Sequence, residues 1–116
     1  MRLLTLTLSL VMASNLSAAI AQETKSVNSI LSHCMSGLEP NAKDSLGGHC
    51  AGVIATLAFV SRVLPDNLKF CHPNTAAPEQ MLQAIISFVE QNPQSASQDF
   101  RLVALAALRD KWPCQE

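Results

Sequence analysis

The chain has no Tyr, a single Trp, four Phe and only 15% charged residues in a length of 116. So little charge, with 48% hydrophobic residues, excludes a solvated disordered chain, which needs the opposite balance. Eight Lys and Arg face nine Asp and Glu with no basic run, so there is no electrostatic footprint for nucleic acid. Beyond the first twenty or so residues no apolar run approaches the ~20 needed to cross a bilayer, which excludes a polytopic membrane protein. C-x-x-C, C-x-x-C-H, G-x-S-x-G and H-E-x-x-H are all missing. With them go the thioredoxin-type dithiol, attached haem, the hydrolase elbow and the zinc-protease helix. Asp44, Asp66, Glu79, Glu90, Asp99 and Asp110 are separated by turns and show no paired spacing for acid–base work. No enzyme and no cofactor is expected.

What is present begins with an address. Residues 1–21 read MRLLTLTLSLVMASNLSAAIA: one basic residue, an apolar stretch from Leu3 to Ala13, then Ala19-Ile20-Ala21 as an A-x-A cleavage site. This reads as a signal peptide, and residues 22–116 are expected to form one exported domain that does not insert in the membrane afterwards. About 95 residues bury a modest core and are marginal without help.

In the remainder, four segments show helical periodicity. Val27, Ile30, Leu31, Cys34, Met35 and Leu38 form the first stripe, closed by Gly37 and Pro40. Glu39 to Gly48 reads as a loop in which Asp44 or Ser45 can cap the next helix. That second helix, Leu46 to Leu64, is apolar on nearly every side and so belongs at the centre of a bundle, with Gly52 marking a close helix–helix approach. Pro65-Asp66-Asn67 is a turn, followed by an irregular piece to Pro73. Pro78 to Gln91 carries a stripe of Leu82, Ile85, Ile86 and Val89, broadened by Met81 and Phe88. Ser95 and Gln98 form a capping-box pattern for a last helix to about Asp110, burying Phe100, Val103, Ala104, Ala107 and Leu108. No period-two alternation appears. The fold class is all-α: a small four-helix bundle with room for an extra short helix.

Four cysteines in an exported domain are natural staples, and they allow three pairings. Cys34 ends the first helix and Cys50 begins the second, so an antiparallel hairpin brings them together. Cys71 precedes the third helix and Cys114 follows the fourth. The expected disulfides are therefore Cys34–Cys50 and Cys71–Cys114, each contributing roughly 3–4 kcal/mol in the chain-entropy model. His33, His49 and His72 each adjoin a cysteine, which suggests zinc. Adjacent helical residues point about 100° apart, however, and disulfides remove the thiolates a metal would bind. No metal site is expected.

Three motifs run in order: Gly48-His49-Cys50-Ala51-Gly52, Phe70-Cys71-His72-Pro73 and Trp112-Pro113-Cys114. Between them lie Gln80-Met81, Phe88-Val89 and Pro93. Together they resemble the Tai family, periplasmic immunity proteins against amidase effectors of the type VI secretion system, with the related Rap proteins. The resemblance spans about Ile30 to Cys114. The chain departs from the pattern at Val53, where an aromatic is common; at Ala77, a usual capping Thr whose place Asn74 or Thr75 would take; and at Trp112, usually Phe.

The resemblance implies a periplasmic, homodimeric protein of a Gram-negative cell that blocks the active-site cleft of a peptidoglycan amidase effector. Rigidity in the docking segment lowers the ordering cost of such binding. The expected partner-binding segment is the Pro65–Lys69 turn, with Asp66, Asn67, Leu68 and Lys69 at its tip between Leu64 and Phe70; Glu39 to Asp44 is the fallback. The rival readings are a periplasmic stress chaperone (holdase) and a Tai-like binding protein without a cognate effector. A third rival is a very small enzyme or metal carrier.

Overall fold

A computed structural model describes residues 25–115; the signal peptide and the proposed cleavage site lie outside them. Four α-helices follow in order: α1 (Val27–Gly37), α2 (Ser45–Val60), α3 (Pro78–Gln91) and α4 (Phe100–Lys111). A 3₁₀ helix at Pro93–Ser97 is the extra short element. Among the described residues there is no strand, only an isolated bridge between Ser26 and Asp99. The fold is two helical hairpins, α1–α2 and α3–α4, packed on one core.

That core is built from one face of each helix. Val27, Ile30 and Cys34 come from α1, Cys50 and Ile54 from α2, Met81, Leu82 and Ile85 from α3. From α4 come Phe100, Val103, Ala104, Ala107 and Leu108, the five residues its periodicity picks out. Phe70, from the irregular piece, is fully buried among them.

Both disulfides close as expected, Cys34–Cys50 with a Cα separation of 5.3 Å and Cys71–Cys114 with 4.9 Å. Each clamps one hairpin.

Several details differ from the sequence reading. α2 ends at Val60, not Leu64: the Val63 N–H donates to the Val60 carbonyl at 2.9 Å, a tightened final turn that Pro65 cannot prolong. α2 is also not central, since only Gly47, Cys50 and Ile54 are buried. The close approach lies at Gly37 and Gly47 instead of Gly52. A β-carbon on Gly37 would stand 2.0 Å from the Gly47 carbonyl oxygen, whereas one on Gly52 would meet nothing within 4 Å.

Of the expected helix caps, that of α2 is found and those of α3 and α4 are replaced by other groups. Asp44 caps α2, accepting from Leu46 N–H at 3.2 Å. Asp99, not Ser95, caps α4 by accepting from Arg101 N–H at 2.9 Å. Ser95 lies within the 3₁₀ helix that Pro93 starts, and its hydroxyl donates to the Asn92 carbonyl. Gln98 is extended, with its carbonyl accepting from Val27 N–H at 3.0 Å. Neither Asn74 nor Thr75 caps α3. Its N-cap is Ala77, whose N–H donates to the Gln80 side-chain carbonyl at 2.9 Å, while Asn74 accepts from Arg62.

Candidate functional site

The chain between α2 and α3 has no regular structure, yet it is held at several points. After Ser61, Pro65 opens a tight turn in which Leu68 and Lys69 N–H groups both donate to the Pro65 carbonyl, at 2.8 and 2.9 Å. Lys69 Nζ pairs with Asp66 Oδ1 at 2.8 Å across the turn. That contact holds the Asp66 carboxyl below the usual carboxylate range. Phe70 then plunges into the core, and Cys71 N–H donates to the Trp112 carbonyl at 2.8 Å beside the Cys71–Cys114 disulfide.

Asp66, Asn67 and Leu68 are left exposed at the tip, with Asp66 94% accessible in its side chain. Asp66 and Lys69 also border a shallow depression of about 320 Å³ with Arg109, Pro113, Cys114 and Gln115. The structure thus brings Asp66 and Lys69 into contact and presents Asn67 and Leu68 beside them. Arg109 and Gln115 are additions the sequence did not single out, because only the second disulfide brings the chain's end to this turn.

The fallback segment is engaged differently. Asp44 Oδ2 accepts from His33 Nδ1 at 2.5 Å, leaving Glu39 to Lys43 as an exposed connector. Burial opposes ionisation of Asp44, but the His33 ring and the Leu46 N–H outweigh it and keep its pKa low.

The three histidines go to separate places. His33 joins α1 to the cap of α2. The ring nitrogens of His72 face the Ala58 and Pro73 carbonyls at 3.1 and 2.9 Å, and its ring lies 5.7 Å from Phe70 and 6.4 Å from Trp112. His49 packs 6.3 Å from Phe100, with its Nε2 buried and unpaired. Burial first, then Lys25 and Arg101, push its pKa below the ordinary histidine value.

All four cysteines are consumed in disulfides. What remains is a disulfide-clamped scaffold carrying a hydrogen-bonded turn whose tip is exposed.

A profile of the Rap1a immunity proteins matches residues 26–114. The chain belongs to that family. The match runs from the N-cap of α1 to the second cysteine of the outer disulfide, taking in both hairpins and the turn. It agrees with the Tai/Rap resemblance carried by the cysteine motifs. No curated protein and no solved structure matches the chain. As a Rap1a immunity protein, it acts by binding a secreted effector.

Proposed function

We propose that this protein neutralises a peptidoglycan amidase delivered into the periplasm by type VI secretion, by lodging the Pro65–Lys69 turn in the enzyme's active-site cleft. It does no chemistry itself. It is exported by residues 1–21 and works as a homodimer, without inserting in the membrane.

The observation that carries this reading is the pinned turn. A protrusion held by a buried Phe70, an ion pair and a disulfide loses little conformational freedom on binding. Its tip offers a polar, partly apolar surface in Asp66, Asn67 and Leu68.

The test is to replace Asp66, Asn67 and Lys69 together by Ala and titrate the variant against a peptidoglycan amidase effector of type VI secretion that the unaltered protein binds. Ten-fold or greater loss of affinity, with an unchanged circular dichroism spectrum, is the expected result. Unchanged affinity would remove the turn from the interface and shift attention to Glu39 to Asp44. Failure of the unaltered protein to bind any peptidoglycan amidase would remove the amidase itself.

A further inference from the structure

α2 is two-sided in burial but not in chemistry. One side supplies Gly47, Cys50 and Ile54 to the core; the other leaves Gly48, Gly52, Ala55, Thr56 and Phe59 exposed, with Val63 just beyond. Phe59 is 88% and Val63 81% accessible. Between Asp44 and Arg62 there is no Asp, Glu, Lys or Arg. A helix face that meets only water normally carries charge.

The exposed glycines sharpen the point. Gly in a helix interior costs about 1 kcal/mol relative to Ala. Gly37 and Gly47 have an internal reason to be small, since each touches the other helix's backbone. Gly48 and Gly52 have none, because a β-carbon on either would meet nothing within 4 Å. No contact among the described residues requires them to be small. Beside Gly52 lies a dish of about 420 Å³, walled by His49, Val53, Thr56, Leu57 and Arg101. The bordering cations are already occupied. Arg62 donates to the His72 carbonyl and to Asn74 Oδ1 at 3.2 Å, and Arg101 forks onto Asp99 at 2.7 and 3.0 Å.

Such a face offers a charged partner nothing, whereas two copies of it meet without like-charge repulsion. A two-fold contact must be self-complementary, and the spacing of residues along this face allows that. Gly52 with Phe59 and Gly48 with Val63 share one midpoint, between Ala55 and Thr56. If two α2 helices cross antiparallel about that point, Phe59 faces Gly52 of the other copy, with Val63 in the turn beyond the helix on the side of Gly48.

We infer that α2 is the seam along which two copies of this protein pair, with Phe59 seated over Gly52 of the partner subunit. The inference rests on the homodimer in the proposed function and locates its interface.

The test uses the mature full chain and sedimentation equilibrium. The unaltered protein is expected to be a dimer. Gly52→Lys and Phe59→Glu, both on exposed positions, are each expected to weaken dimerisation at least 100-fold while keeping the same helical circular dichroism. Combining G52K and F59E in one chain recreates both contacts as ion pairs and is expected to restore dimers. A monomeric unaltered protein would overturn both the seam and the homodimer. A dimer that neither single substitution weakens would overturn the seam and leave the homodimer standing. A dimer lost in the singles but not recovered in the combination would overturn the antiparallel register.

Discussion

At Gly37 and Gly47 the backbones of α1 and α2 are in contact, so any side chain there must force the two helices apart at a point where Cys34–Cys50 holds them together. Overpacking a well-filled site typically costs 1–3 kcal/mol, and here the obstacle is a carbonyl that cannot swing aside. Gly37→Ala is expected to fall at or above the top of that range, read as a lowered midpoint of urea unfolding. His49 is the second decisive residue. Its folded pKa is depressed, so between that value and the unfolded ~6.5 the unfolded chain binds more protons. Stability therefore falls as pH drops below about 6.5. Thermal melts from pH 7.5 to 5 should show this decline, and His49→Leu, which cannot be protonated, should flatten it. An equally steep decline in the variant would mean another group is responsible.

At the scale of elements, Asp99 does three things: it caps α4, holds Arg101 and sits where Ser26 bridges to it. Losing a cap costs about 1 kcal/mol, and Asp99→Ala should cost somewhat more because Arg101 is released with it. The Arg101 fork holds its pKa at about 2, below the unfolded ~3.9. Its stabilisation is thus complete above about pH 4 and fades as pH falls towards 2. Asp99→Asn should show a shallower acid limb than the unaltered chain. The four helices were legible because three have a clear apolar stripe, and α4's five buried residues follow its period. α2 was misread for a physical reason: hydrophobicity all round signals burial only if every side finds a partner within the same chain. The cap of α4 was misread because a Ser-x-x-Gln pattern and a proline-led 3₁₀ turn look alike until Gln98 is seen pairing with Val27.

For the molecule as a whole, the disulfide frame followed from helix order alone, since antiparallel neighbours bring the end of one helix to the start of the next. The candidate turn was legible as a turn with a polar tip. Its rigidity was not, because Phe70's burial and the return of Trp112 and Cys114 are long-range facts. Sequence separations of 16 and 43 residues give the two bridges roughly 3 and 4 kcal/mol in the chain-entropy model. Replacing Cys71 and Cys114 by Ser should accordingly destabilise the fold more than replacing Cys34 and Cys50. It should also loosen the turn, so that effector affinity falls in the first variant and holds in the second at temperatures where both stay folded.

The fastening of the start of α1 to the start of α4 has one more result. Lys25 accepts from Phe100 N–H at 2.9 Å, and Val27 donates to Gln98. The backbone just before α1 is therefore completed by the residues that open α4. A chain emerging N-terminus first, whether from a ribosome or through a membrane channel, can form the α1–α2 hairpin early but cannot close this clasp until α4 has begun to emerge. This clasp therefore closes only after more than three quarters of the domain has emerged.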